Sequence, residues 1–323
     1  MVIKMCTAIS LKVKDHYFGR NLDLYYNYNE QVVITPRNYN FDFCMAGKAT
    51  RHFSFIGMAT VSDGYPLYYD GVNEKGLGVA ALNFPCNAHY LPAQKGKTNL
   101  ASFEVIPFLL CNFKSVAEVE KAAGDISVLE RNFSSDFPAS PLHWMVSDET
   151  ASLVLEPMAD RLKIYKNPYG VLTNNPPFET QSLWLQNFWH LSNKNPQKGF
   201  YFTTEQNFYS LGMGAIGLPG DMSSPSRFVK AAFLRKNSVC ESDENSAVSQ
   251  FFHILSSVEQ VKGSSLTDNG ECEYTVYSSC CNASKGIYYY TTYNNRAVSA
   301  VDMQKENLDS NALITFDLNP IQP

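Results

Sequence analysis

Cys6-Thr7-Ala8-Ile9-Ser10-Leu11-Lys12 and His16-Tyr17-Phe18-Gly19-Arg20-Asn21, joined across Lys14-Asp15, form the stretch on which the fold turns. The first segment alternates with a period of two, and the second resumes after a short polar break. Such alternation places successive side chains on opposite faces of a strand, so the pair predicts a β-hairpin at the start of the chain.

Working outward, strand character recurs at 31–35, 53–61, 76–82, 143–147, 151–156 and 161–165. Asp148-Glu149 and the segment 157–160 separate the last three and have turn composition. Near the C-terminus, 273–279, 286–293 and 297–303 predict further hairpin-linked strands, with Asn294-Asn295 at a tight turn that asks for positive φ. Helical spacing marks 103–112, 225–235 and 247–258, and Ser115-Val116-Ala117-Glu118 reads as a capping box opening another helix. Strands come in groups, then helices, then strands, which predicts antiparallel sheets covered by helices rather than a doubly wound parallel sheet. With no linker and no repeat, residues 1–323 are expected to form one domain.

The bulk properties narrow the function. The 323 residues are 45% hydrophobic and 18% charged, and 19 Tyr and 21 Phe favour pleated, half-buried surfaces. A net charge of −5 argues against nucleic acid, whose phosphates need clustered Lys and Arg. No apolar run of about 18 residues predicts a membrane span. Met1-Val2-Ile3-Lys4-Met5 is too short to be a secretory signal, so a cytoplasmic protein is expected. Its eight cysteines are then free thiols, without a C-x-x-C pair, and all but Cys6 and Cys86 read as small buried hydrophobes. Gly212-Met213-Gly214-Ala215-Ile216-Gly217 fits G-x-G-x-x-G, but no strand precedes it and Pro219-Gly220 would break a helix, so it reads as a loop. His143 reads as a satisfied strand residue rather than a base, which leaves no evident Cys–His dyad.

Cys6 remains. An α-amino group titrates near 7.7–8.0 and a thiol near 8.5, so a cysteine exposed as residue one could supply nucleophile and base together. Position alone favours a buried cysteine in a first strand. Arg20 and Asp23 alter that balance, because a hairpin brings both beside Cys6, the cation favouring thiolate and the carboxylate orienting the amine. Their alternative is a surface ion pair. Asn83 and Asn174 close apolar segments and could donate to an oxyanion or merely satisfy turns.

Together these segments resemble a known family. Cys6-Thr7-Ala8-Ile9, Tyr17-Phe18-Gly19-Arg20-Asn21-Leu22-Asp23, Ile34-Thr35-Pro36-Arg37-Asn38-Tyr39 and Asn73-Glu74-Lys75-Gly76-Leu77-Gly78 are similar to the choloylglycine hydrolases. Gly170-Val171-Leu172-Thr173-Asn174-Asn175-Pro176, Leu218-Pro219-Gly220-Asp221, Ser226-Arg227-Phe228, Phe251-Phe252-His253-Ile254-Leu255 and Lys285-Gly286-Ile287-Tyr288-Tyr289-Tyr290 continue the likeness in order. Within the family, which includes penicillin V acylases, the chain looks most like the bile salt hydrolases of gut bacteria.

The resemblance implies an α+β fold, the αββα four-layer sandwich of N-terminal-nucleophile hydrolases, assembling as a homotetramer. It implies an amidohydrolase acting on linear amides, with conjugated bile salts as substrates and neither cofactor nor metal. Cys6 matches the nucleophile and mature N-terminus, Arg20 and Asp23 the residues flanking its sulfur and amine. Asn83 and Asn174 match the oxyanion site, and Arg227 an arginine supporting the centre. Leu22, Tyr25, Phe133 and Phe137 fall where the family lines an apolar substrate pocket, and 212–220 where it assembles subunits and closes the site. Penicillin V acylases commonly carry tyrosine in place of Asn83, which favours bile salts. Bile salt hydrolases usually begin Met-Cys, whereas four residues precede Met5 here. Either translation starts at Met5 or a five-residue propeptide is removed. The alternatives are a penicillin V acylase and a catalytically silent steroid-binding protein that retains residues 1–5.

Overall fold

The computed structural model describes residues 5–197, 203 and 207–320. The N-terminal hairpin is present: Cys6–Lys12 and His16–Leu24 pair antiparallel, with Cys6 opposite Leu22 and Ala8 opposite Arg20. The hairpin is interior to a seven-stranded sheet ordered Val171–Leu172, Cys6–Lys12, His16–Leu24, Cys272–Asn282, Ile287–Thr292, Ser299–Asp302, with Ser265–Leu266 also on Cys272–Asn282. An eight-stranded sheet runs Leu162–Lys166, Ser152–Pro157, Leu142–Ser147, Gly78–Asn83, Tyr65–Asn73, Phe55–Ser62, Gln31–Thr35, Ile314–Asp317.

Period-two alternation sorts the side chains of the second sheet into two cores. Val32, Ile34, Ile56, Met58, Ala80, Leu82, Met145 and Val154 face the first sheet, in one cluster with Phe18, Leu22 and Tyr277. Their neighbours Val33, Phe55, Ala59, Val79, Ala81, Trp144, Val146, Leu153 and Leu155 point the other way, onto the helices Val105–Asn112 and Val116–Ala122. Helices Ser224–Asn237 and Glu244–Ser256 cover the outer face of the first sheet through Phe228, Ala231, Phe251 and Ile254. The result is the αββα sandwich. Two glycines allow close approaches within and between the sheets: a Cβ on Gly19 would lie 2.0 Å from the Ser279 carbonyl oxygen, and one on Gly78 2.6 Å from the Phe18 ring.

Several expectations need correction. Strand Tyr65–Asn73 was not anticipated, because Pro66 and Gly71 read as loop residues; Pro66 sits one residue from the strand's start, where a missing N–H is tolerated. Helix Phe178–Leu185 also went unrecognised, since its apolar residues lack a clear stripe. Asn294 and Asn295 are not at positive φ; Thr292 and Asn295 exchange backbone hydrogen bonds around a turn, but it lies at the start of a six-residue connection to Ser299 rather than forming the whole of it. Ser115 does cap Val116–Ala122, accepting from the Glu118 N–H, but the Glu118 carboxylate takes the Lys114 N–H instead of closing the box on Ser115. All eight cysteines are free, yet Cys44, Cys240 and Cys272 are only half-buried, because they lie in loops or at a strand start. The segment 212–217 is a loop with one 3-10 turn at Met213–Ala215. Of the residues expected to be lost, 1–4 lie outside the described ones.

One buried polar group ties stability to pH. His16 Nε2 lies 3.1 Å from Ser10 Oγ and 3.2 Å from Ser147 Oγ, in a pocket between the sheets. Burial pushes its pKa down to about 4, against the opposing pull of the Asp148 carboxylate. As pH falls, the unfolded chain therefore binds the proton first, near 6.5, and stability drains away between about pH 6.5 and 4. The loss amounts to roughly 3 kcal/mol. Urea unfolding should show this loss in the parent protein and a much flatter acid limb in His16→Gln; equal slopes in both would contradict the assignment.

Candidate active site

Strand pleating arranges the groups around Cys6. Directly paired residues of an antiparallel ladder share a face, so Cys6, Arg20 and Leu22 lie on the face turned to the second sheet. Asp23, one residue on, points to the helix side and comes under the influence of Arg227. Side chain and backbone of Cys6 thus meet different partners, the sulfur the Arg20 charge and the main chain Asn174 and Arg227.

The main chain of Cys6 is held from several directions. Its N–H donates to Asn174 Oδ1 at 2.7 Å, and the same oxygen accepts from Arg227 Nη2 at 2.9 Å. Arg227 Nη1 also donates to the Cys6 carbonyl at 2.6 Å and to Thr7 Oγ1 at 2.5 Å. These bonds fix the amide orientation of Asn174, whose Nδ2 donates to the Asn83 carbonyl at 2.8 Å. Met5 precedes Cys6 in peptide linkage; its N–H donates to Glu273 Oε1 at 2.5 Å and its carbonyl accepts the Asp23 N–H at 3.1 Å.

Two β-bulges aim the charged groups. Opposite strand Phe55–Ser62, Met58 pairs Asp70 and Ala59 pairs Tyr68, which leaves Tyr69 as the extra residue. Its freed carbonyl accepts from Arg20 Nη1 at 3.0 Å, and the Ala81 carbonyl accepts from the same nitrogen. Opposite His16–Leu24, Asp23 pairs Thr275 and Leu22 pairs Tyr277, so Val276 bulges, and Thr275 Oγ1 donates to Asp23 Oδ1 at 2.6 Å. Arg20 and Asp23 are both buried, and no ion pair joins them among the described residues. The surface ion-pair alternative is therefore wrong. Two polar atoms here, Arg20 Nη2 and Asp23 Oδ2, have no hydrogen-bond partner.

Burial dominates the electrostatics. It pushes the Cys6 thiol up, with the Arg20 guanidinium pulling the other way. It pushes the Asp23 carboxyl up to about 6, against Arg227 and the Thr275 hydrogen bond. Burial lowers the Arg227 pKa, with the Asp23 carboxylate opposing. Asp70, which sequence reasoning missed, is a buried counter-charge to Arg20 and accepts from Tyr277 Oη at 2.6 Å and Tyr288 Oη at 2.7 Å. No local motif marks it, since its role arises only when the two sheets stack.

Cys6 and Arg20 open onto a cavity lined by Leu22, Asn83, Phe133 and Phe137, all anticipated from sequence. Leu24, Tyr28, Leu67, Phe103 and Ile106 line it too and were not anticipated; the aromatic run containing Tyr28 was the available signal. Tyr25 is not among the lining residues. It packs on Tyr26, ring centroids 4.5 Å apart, and Tyr26 on Tyr28, so the Tyr26 ring stands between it and the lining ring. Asn174 and Arg227 also lie outside the lining, behind Cys6. His143 is buried with both ring nitrogens engaged and is not a base. Among the described residues, no cluster of His, Cys, Asp or Glu could hold a metal, and no helix is long and apolar enough to cross a membrane.

Comparison with known proteins places this geometry. A family model described as linear amide C–N hydrolases, choloylglycine hydrolase family, matches residues 6–316. The bile salt hydrolase/transferase of Lactiplantibacillus plantarum is 48% identical over 314 residues, 97% of each chain. The bile salt hydrolase/transferase of Clostridium perfringens is 38% identical over 329 residues, covering 98% of this chain and 97% of the other. A solved structure of a conjugated bile acid hydrolase variant from Clostridium perfringens superposes with a TM-score of 0.90 at 36% identity, over 98% of both chains. Penicillin V acylase from Agrobacterium tumefaciens shares the fold, with a TM-score of 0.75 at 21% identity over 98% of this chain and 92% of its own. The chain belongs to the choloylglycine hydrolase family of linear amide C–N hydrolases.

Proposed function

We propose that this chain hydrolyses the amide bond of glycine- or taurine-conjugated bile salts, with Cys6 as nucleophile once Met5 has been removed. The observation that carries the reading is the split environment of Cys6. Its sulfur faces an aromatic-walled cavity, while its nitrogen is held by Asn174 Oδ1 behind the strand. In the mature chain that nitrogen is an amine, able to take the thiol proton near neutral pH. The thiolate then attacks the amide carbonyl, with Arg20 lending positive charge. Asn83 faces the cavity, and Asn174 Nδ2 keeps a second hydrogen beyond its bond to the Asn83 carbonyl, so the two side chains supply oxyanion donors. Collapse of the tetrahedral intermediate breaks the C–N bond, the ammonium of Cys6 protonates the departing amine, and water cleaves the thioester. Asp23 Oδ2, buried without a partner, is the acceptor for that ammonium, and Arg227 fixes both Asn174 and the Cys6 carbonyl. Leu22, Phe133 and Phe137 give the steroid an apolar wall, at roughly 25 cal/mol per Å² of apolar surface buried. No residue of this scheme calls on a cofactor.

Assembly and location complete the proposal. Leu183, Trp184, Trp189, Tyr209, Leu211 and Ile216 are exposed apolar side chains flanking or within the loop region before residue 220. Exposed apolar side chains of this size are consistent with burial in a homotetramer. Eight free thiols are consistent with a reducing cytoplasm.

Cys6→Ser should lose at least about 1,000-fold in turnover of taurocholate and keep its far-ultraviolet circular dichroism. Taurine released at the parental rate would refute the mechanism, and a parent enzyme preferring penicillin V would reassign the substrate. Light scattering should give a tetramer for the parent and smaller species for Trp189→Asp combined with Leu211→Asp; a monomeric parent would refute the assembly.

A further inference from the structure

His143 and Glu156 form a contact that the scheme above does not use. Both side chains are wholly excluded from solvent, with His143 Nδ1 3.1 Å from Glu156 Oε1. The other ring nitrogen, Nε2, lies 2.8 Å from the Thr173 carbonyl. A carbonyl only accepts, so Nε2 carries a hydrogen. The Nδ1–Oε1 contact needs one further proton, on either atom, since two lone pairs would otherwise face each other. Glu156 Oε1 also accepts the Phe178 N–H at 2.9 Å. The imidazole stacks on Phe84, with ring centroids 4.3 Å apart and planes 6° from parallel.

The position of the pair is informative. Thr173 immediately precedes Asn174, and Phe84 immediately follows Asn83. One imidazole therefore grips the chain beside both asparagines, through a hydrogen bond on one side and a ring face on the other. The backbone of Asn174 is otherwise held at its N–H by Ser224 Oγ, 2.8 Å, and at its carbonyl by Gln181 Nε2, 2.5 Å, while its side chain is held by Arg227 and the Cys6 N–H and bonds the Asn83 carbonyl. Of the three groups that hold the backbone at Thr173 and Asn174, His143 also stacks on the residue that follows Asn83.

A purely structural reason for the pair is weak. Glu156 Oε2 is buried without a partner, and a buried polar contact with incomplete hydrogen bonding, whichever atom holds the proton, commonly stabilises less than apolar residues of the same volume. We infer that His143 and Glu156 are positioning residues, which set the angle between the Asn83 and Asn174 side chains at the reacting carbonyl. This rests on the bile salt reading of the site. Neither residue touches substrate, so the effect should fall on the chemical step rather than on binding.

The test uses the full chain carrying His143→Leu, His143→Gln or Glu156→Gln, with intact mass measured to confirm the same N-terminus as the parent. Steady-state kinetics on taurocholate and melting temperature are then compared. The inference expects kcat to fall about 100-fold in His143→Leu, as sub-ångström misplacement can produce, with KM within about twofold. His143→Gln, whose amide can still donate to the Thr173 carbonyl, should recover at least about tenfold of that loss, even where its melting temperature is no higher. Glu156→Gln, if His143→Leu fails to fold, should lower kcat at constant KM by itself. Unchanged kcat in folded variants, or losses that follow melting temperature without rescue by Gln, would overturn the inference. A parent enzyme inactive on taurocholate would instead defeat the substrate reading on which it rests.

Discussion

The arrangement depends on one constraint: the backbone of Cys6 is fixed at the start of an interior strand. Its N–H and carbonyl are engaged by Asn174 and Arg227, and the hairpin ladder sets Cys6 opposite Leu22. Because strand side chains alternate, fixing that backbone sends the sulfur toward the second sheet, while the N–H, directed along the sheet, reaches Asn174 just beyond the neighbouring strand Val171–Leu172. A one-residue slip in register would turn the sulfur to the other face. The tight fit of Gly19 against the Ser279 carbonyl restrains such a slip, for no other residue fits at that crossing.

The charges around Cys6 are buried, and burying charge is costly unless other groups compensate. Compensation here is distributed. Arg20 gains carbonyls released by a bulge at Tyr69, and Asp70 balances it from the strand behind, itself held by two phenols. Asp23 gains a hydroxyl aimed by the bulge at Val276. Two atoms stay unsatisfied, Arg20 Nη2 and Asp23 Oδ2. Both belong to charged residues whose fields act on the Cys6 thiol. Other buried polar atoms lack partners too, Glu156 Oε2 among them, so it is the charge of these two residues beside Cys6, and not the missing partners alone, that suits a reacting site.

Much of this was legible in the chain. The hairpin, the grouped strands and the helices over 103–112 and 225–235 carry local signals that survive folding, whereas the cavity residues Leu22, Phe133 and Phe137 were legible only through the family resemblance. Period-two alternation and turn composition are local by nature. The strand Tyr65–Asn73 was hidden because Pro66 and Gly71 mimic loop composition, although the bulge it carries is what aims Arg20. Asp70 and the His143–Glu156 contact were hidden for a different reason. Each is formed between residues whose meeting is decided by how strands stack and pair, and no short window of sequence encodes that. Tyr25, placed in the pocket by the family resemblance, lies outside the lining, where Tyr28 stands instead.

In the chain described here, the nitrogen of Cys6 is an amide and cannot act as a base. The account therefore stands on the removal of everything before Cys6. Intact mass spectrometry of the purified protein, read alongside taurine release from taurocholate by the same preparation, tests this most directly. The account predicts that active material begins at Cys6 and that turnover scales with the fraction so processed. A homogeneous chain that retains Met1 to Met5 and still hydrolyses taurocholate at full rate would contradict it.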